Sequence, residues 1–182
     1  FIPPYDHIDV VTGQGTVGLE IMRQVDGVEN ILVAIGGGGL AAGVAVAAKL
    51  AAAKQGRKIK VIGVQSENTA SYVASLKAGK PTLITTKSTI ADGIAVAKPG
   101  QVPFDLISKH IDKVVTVSDN EIAKAIVALL ERSKQVVEPA GAVTVAALMS
   151  GAFKPKGKTV AVLSGGNIDP LLMQKIIGHG LE

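Results

Sequence analysis

Cysteine is absent from the 182 residues, and so is tryptophan. The first absence removes disulfides, thiolate metal sites and a cysteine nucleophile together. Aromatic residues of all kinds make up 3%, with three Phe and two Tyr. So few rings cannot stack a row of bases, which argues against nucleic-acid binding by that route. Charge of one sign is not concentrated either: 19 basic residues stand against 15 acidic ones for a net +4, with the lysines scattered. That is a solvated surface rather than a nucleic-acid stripe. No apolar run approaches the ~20 residues that span a bilayer, and no signal peptide is visible. A cytoplasmic protein without a membrane partner is the expectation.

What is plentiful is small and aliphatic. Hydrophobic residues reach 47%, so the core is built from Ala, Val, Ile and Leu. The length suits one domain with a proper core. Short apolar, β-branched runs predict strands at Asp9 to Thr12, Asn30 to Ile35, Lys58 to Gln65, Lys113 to Val117 and Lys158 to Leu163. They lack strict alternation, as strands buried on both faces of a parallel sheet do. Between them, helices are predicted at Thr16 to Val25, Leu40 to Lys54, Asn68 to Ala78, Phe104 to His110, Asp119 to Lys134, Pro139 to Ser150 and Pro170 to Ile177. Ser118 and Glu121 form a capping-box pattern before the apolar face Ile122, Ile126, Leu129 and Leu130. The expected fold is α/β: a doubly wound, mainly parallel sheet with helices on both faces. The stretch Lys80 to Gln101 has Pro81, Pro99 and Gly100 and is long for a connection without function.

The most pointed motif is Gly36-Gly37-Gly38-Gly39, set between an apolar strand and a helix beginning near Leu40. Residues without Cβ can take φ > 0 and turn several N–H groups toward one point, where the helix aims the positive end of its dipole. A phosphate fits there with no side-chain charge. The flanking elements favour this over a flexible turn. A Walker loop is excluded, because Leu40-Ala41-Ala42 follows instead of Lys-Ser/Thr. A dinucleotide fingerprint is met only in its relaxed form with Ala41 third, and Glu67 lies later than its ribose acid should. Other strand-end loops carry further candidates. Gly13-Gln14-Gly15-Thr16 reads as a tight strand-to-helix turn. Ser164-Gly165-Gly166-Asn167 follows the last strand, with Asp169 and Pro170 opening a helix; Ser164 is either a turn serine or a hydrogen-bonding site residue. Glu138, before Pro139-Ala140-Gly141-Ala142, is either a helix-entry acid or a site carboxylate. Asp92 in Thr89-Ile90-Ala91-Asp92-Gly93 is open to an Asx-turn reading as well.

In this order, Gly-Gln-Gly-Thr, the strand-Gly-Gly-Gly-Gly-Leu loop, Thr-Ile-Ala-Asp-Gly, Glu-Pro-Ala-Gly-Ala and Ser-Gly-Gly-Asn resemble one known group. It is the threonine dehydratase (threonine ammonia-lyase) and serine racemase group of pyridoxal-phosphate enzymes, of the tryptophan-synthase-β-like fold. Each motif alone is weak; the five together span nearly the whole chain, and Phe1-Ile2-Pro3-Pro4-Tyr5-Asp6 resembles the dehydratases too. The resemblance implies that Gly36, Gly37, Gly38, Gly39 and Leu40 bind the cofactor phosphate. It implies that Ser164 hydrogen-bonds the pyridine nitrogen, and that Gly93 and Glu138 lie beside the ring. It further implies β-elimination of water from L-threonine, and from L-serine, giving 2-oxobutanoate and ammonia from threonine, in a homo-oligomer acting on a small amino acid.

Two departures qualify it. The family's Schiff-base lysine stands in a Ser-x-Lys-x-Arg-Gly motif that this chain lacks; Lys87 and Lys98 flank the Asp92 loop but match nothing. The Ser-Ser/Ala-Gly-Asn-His loop that grips the substrate carboxylate is missing as well. The expectation is therefore the C-terminal part of a catalytic region, residues 1–182, without its lysine-bearing N-terminal part and with no catalytic lysine of its own. Ile176 to Glu182 resembles the junction before a regulatory ACT domain. Second, serine racemases carry metal-binding acids where this chain has Gln65 and Ser71, so no divalent metal is expected. A non-catalytic phosphate- or cofactor-binding domain, a nucleotide-dependent dehydrogenase domain and a serine racemase-like enzyme remain the alternatives.

Overall fold

The computed structural model of the chain describes residues 3–179. Its frame is a parallel sheet of β1 (Asn30–Ala34), β2 (Lys60–Ser66), β3 (Lys113–Val117) and β4 (Thr159–Ala161), in the order β3-β2-β1-β4. Asn30 pairs with Lys60 on one side and Thr159 on the other, and Ile62 pairs with Lys113. Seven helices complete it: α1 (Ile8–Gln24), α2 (Gly39–Lys54), α3 (Ser71–Ala78), α4 (Gln101–His110), α5 (Asp119–Ala128), α6 (Pro139–Met149) and α7 (Pro170–His179). Every residue of β1 is buried, because its two faces meet different layers. Ile31, Val33 and Ile35 join a core with α1, α2 and α4, whereas Leu32 and Ala34 join one with α5, α6 and α7. This is the doubly wound α/β fold expected from continuous apolar strands.

The chain turns from β1 to β2 on one side of the sheet and returns to β4 on the other. β1 and β4 therefore flank a switch point, where open α/β sheets bind ligands at the carboxyl ends of their strands. The loops beginning at Gly36 and Val162 both leave the sheet at that point.

Residues Asp9 to Thr12 are not a strand. They lie in α1, so Gly13-Gln14-Gly15-Thr16 is mid-helix rather than a strand-to-helix turn. The His7 side chain accepts from the Asp9 N–H and caps the helix, and Val11, Gly15, Gly18 and Met22 recur at helical spacing on its buried face. The glycines let two backbones touch: a Cβ on Gly18 would stand 2.7 Å from the Val44 carbonyl oxygen. Other expected elements shift at their ends. The segment Asn68 to Ala78 opens as a 3-10 turn (Glu67–Thr69) before α3, α4 starts at Gln101, β2 begins and ends later than expected, and β4 is shorter. The helix expected to run from Asp119 to Lys134 leaves α geometry at Leu129, widens into a π turn through Ser133 and stops at Lys134, whose φ is +56°. Its Ser118–Glu121 capping box is formed.

The α1–α2 crossing yields a paired prediction. A Cβ on Gly43 would run into the Val11 carbonyl and stand 2.6 Å from the Gly15 nitrogen, whereas nothing lies within 4 Å of one on Gly13. Gly43→Ala is expected to lower stability by about 1–3 kcal/mol through overpacking. Gly13→Ala should raise it by roughly 0.5–1 kcal/mol, since only a helical glycine is replaced. Urea unfolding of both variants checks the opposite signs.

Candidate active site

The glycine loop joins β1 to α2. Gly37, Gly38 and Gly39 are buried and Gly36 is half-buried. Gly38 alone takes a positive φ, +104°, and is the N-cap of α2 with no side-chain cap. Its neighbours are glycine because of crowding. A Cβ on Gly37 would enter the Tyr5 ring, and one on Gly36 would stand 2.9 Å from the Ile94 Cα. On Gly38 it would enter the Tyr72 hydroxyl and lie 2.8 Å from Pro103. None of the N–H groups of residues 36–40 donates to an acceptor among the described residues. Buried amides without partners are rare unless something else answers them.

The peptide between Gly37 and Gly38 is held from one side. The Gly37 carbonyl accepts from the Tyr72 hydroxyl at 3.0 Å and from the Gly100 N–H at 3.2 Å. In a trans peptide the N–H points opposite to the C=O, so fixing that oxygen aims the Gly38 N–H away from Tyr72. Tyr72 is fixed in turn by Gln65, which is fully buried at the end of β2. The Gln65 Oε1 accepts from the Tyr72 N–H at 3.0 Å, while its Nε2 donates to the Ile35 and Thr69 carbonyls. Burial, and then the nearby Asp6 and Tyr5, push the Tyr72 phenol well above its ordinary range. It therefore stays a neutral donor at any working pH.

A second wall faces this loop. The turn Asp92–Ile94 packs on Gly36, and a Cβ on Gly93 would stand 3.0 Å from Ala140 and 3.7 Å from Glu138 Oε1. Glu138 is the half-buried N-cap of α6, with Pro139 beginning the helix. Its N–H donates to the Gly165 carbonyl at 3.1 Å, and its Oε2 accepts from the Asn167 N–H at 3.1 Å. A Cβ on Gly165 would lie 2.6 Å from the Glu138 Cδ. So Gly36, Gly93, Glu138 and the Ser164 loop form one contiguous surface. Ser164 is exposed, its hydroxyl without a partner among the described residues. Leu40 is half-buried in the first turn of α2. Asp92 faces solvent, and its carboxylate accepts from the Gly93 N–H; Glu67, Lys87 and Lys98 are exposed.

Residues 1–165 match the family described as pyridoxal-phosphate dependent enzyme. The chain belongs to that family. It is 49% identical to the L-threonine ammonia-lyase of Thermotoga maritima over 182 residues, all of this chain and 44% of that protein. The processed threonine deaminase isoform 2 of Solanum lycopersicum superposes with a TM-score of 0.88 at 35% identity, over 96% of this chain and 51% of that one. Maize serine racemase gives 0.88 at 34%, over 98% and 55%. The chain thus spans about half the length of the curated relatives it matches. Membership excludes the dehydrogenase reading of the relaxed glycine fingerprint.

The residues suit the family's cofactor. Unanswered amides at a helix N-terminus match a phosphate, and a free hydroxyl on the facing loop matches a ring nitrogen that takes or gives one hydrogen bond. Gln65 and Tyr72, which shape the loop, were not anticipated as site residues. The available signal was compositional: one of only two tyrosines stands seven residues after a polar residue that ends an apolar strand.

Tyr72→Phe in the complete protein should weaken pyridoxal-phosphate binding by about tenfold, the loss of one buried hydrogen bond. Equilibrium dialysis measures this. The same change alters the alkaline limb of unfolding. A phenol raised in the native state favours folding below its unfolded value of about 10, and that contribution is lost as pH climbs above it. The variant should therefore lose less stability than wild type above pH ~10.

Proposed function

We propose that the complete protein deaminates L-threonine to 2-oxobutanoate and ammonia, accepts L-serine as well, and holds pyridoxal phosphate in the site described above. The observation that carries this reading is the set of unanswered N–H groups at residues 36–40, facing Gly93, Glu138 and Ser164 across one switch point. The named activities of relatives at 49% and 35% identity support it.

In this reading Gly36, Gly37, Gly38, Gly39 and Leu40 bind the phosphate through backbone donors and the α2 dipole. When bound, the cofactor supplies an electron sink for the pair released as the substrate Cα–H bond breaks. Ser164 faces the pyridine nitrogen as a neutral partner, which does not force that nitrogen to stay protonated as a carboxylate would. Gly93 and Ala140 keep one side of the ring position free of bulk, and Glu138, tied to Asn167, fixes the loop that carries Ser164. The net change balances: threonine loses its Cα proton and its Cβ hydroxyl as water, and hydrolysis of the resulting enamine returns water and releases ammonia.

The lysine base belongs to a segment outside these 182 residues. The chain's coverage of about half its relatives supports this, as does the lack of the lysine motif here. A homo-oligomer, a cytoplasmic location and a following ACT domain complete the proposed whole. No helix among the described residues is long and apolar enough to cross a membrane.

The test is turnover by the complete protein, with 2-oxobutanoate and ammonia measured from L-threonine and D-serine sought from L-serine. Equimolar keto acid and ammonia are expected; racemised serine as the main product would overturn the assignment. Ser164→Ala should lower kcat by about tenfold or more, with an unchanged circular dichroism spectrum.

A further inference from the structure

The irregular stretch between α3 and α4 carries Gly93 into the site, yet among its residues only the turn Asp92–Ile94 is helical and none is a strand. Something other than a ladder has to hold it. We infer that Asp119 is a positioning residue for the cofactor site, latching residues 89–93 against the sheet; this rests on the function proposed above.

Asp119 opens α5, but it is not needed as a cap, because Ser118 and Glu121 already complete a capping box. Both its oxygens are turned to the loop instead. Oδ1 accepts from the Thr89 hydroxyl at 2.6 Å and Oδ2 from the Ile90 N–H at 3.1 Å. A carboxylate can only accept, so the Thr89 proton points at Asp119. The Thr89 oxygen is then left to accept: from the Ala91 N–H at 3.2 Å, and from Ser66 at 3.0 Å. In that last pair either oxygen could be the donor by distance alone; the Asp119 bond settles it as Ser66. One hydroxyl thereby joins the end of β2, the start of α5 and the loop. Charge-assisted bonds of this kind are the strong ones.

The consequence runs along three residues. Ala91 is fully buried, its N–H on Thr89 and its carbonyl accepting from the Ile94 N–H at 3.1 Å. Ile94 and Gly93 then close on Gly36 and on Ala140 and Glu138. If residues 89–91 let go, the wall opposite the glycine loop loses its register.

Four variants of the complete protein test this. Thr89→Val removes the hydroxyl with little change of shape, Thr89→Ser restores it, and Asp119→Asn removes the charge. Glu121→Gln loses a first-turn acid of the same helix without touching the loop. Two readouts are used: amide hydrogen exchange at Ala91 and Ile94 without cofactor, and the dissociation constant for pyridoxal phosphate. Thr89→Val and Asp119→Asn should exchange faster and bind about tenfold more weakly or worse. Thr89→Ser should behave as wild type, and Glu121→Gln should lower Tm alone. Unchanged exchange and affinity in Thr89→Val and Asp119→Asn would overturn the latch, as would an equal loss in Glu121→Gln. Wild type that shows protected amides but binds no pyridoxal phosphate would sink the proposed function and the positioning role together, while leaving the hydrogen bonds themselves demonstrated.

Discussion

The site depends on the orientation of one peptide, the unit between Gly37 and Gly38. Its carbonyl is taken by Tyr72 and Gly100, so its N–H is turned to the other side. Backbone donors are useful to an anion only if folding has already separated them from their own acceptors. Here the loop is also crowded, and Tyr5, Tyr72 and Pro103 leave no room for a Cβ on Gly37 or Gly38. Glycine is thus required by the protein's own packing, and the free amides follow from it. On the function proposed above, the cradle is formed before the phosphate arrives, which spares binding the cost of ordering it.

The frame delivers that orientation through a short relay. Gln65 is the last residue but one of β2, the strand beside β1, and reaches over to the Ile35 carbonyl just past the end of β1. The oxygen of the same amide receives the Tyr72 N–H at the start of α3. The opposite wall is held by the same kind of relay one strand further out, from Ser66 through Thr89 to Asp119 beyond β3. Both relays start at neighbouring residues of β2, whose side chains alternate between the two faces of the sheet. One strand end therefore sets both walls of the site.

Much of this could be seen in the sequence, for identifiable reasons. β1 and its glycine loop were legible because a buried parallel strand, a glycine run and a helix make a local pattern that needs no tertiary knowledge. The start of α5 was legible through Ser118 and Glu121, a contact between near neighbours. Helix α1 was not. Its Gly13-Gln14-Gly15 imitates a turn, and the true reason for Gly15, Gly18 and Gly43 is an approach of two helices distant in sequence. The π turn at Leu129 was hidden for a similar cause, since the apolar periodicity continues through it. Tyr72, Gln65 and Asp119 act across separations of 35, 30 and 30 residues, and no spacing rule reports such bonds.

The backbone does not separate this chain from a racemase, since maize serine racemase shares it with a TM-score of 0.88 over 98% of the chain. Gln65 shows what one side chain does here. Its Nε2 faces two carbonyl oxygens, Ile35 and Thr69. A carboxylate in its place would set a third acceptor against them, a buried arrangement that needs a proton or a cation to relieve it. The neutral amide satisfies both carbonyls and Tyr72 at once, so the relay to Gly37 closes without an ion. Among the described residues, the glycine loop is thus tied to β2 through Tyr72, whose hydroxyl reaches the Gly37 carbonyl and whose N–H rests on Gln65.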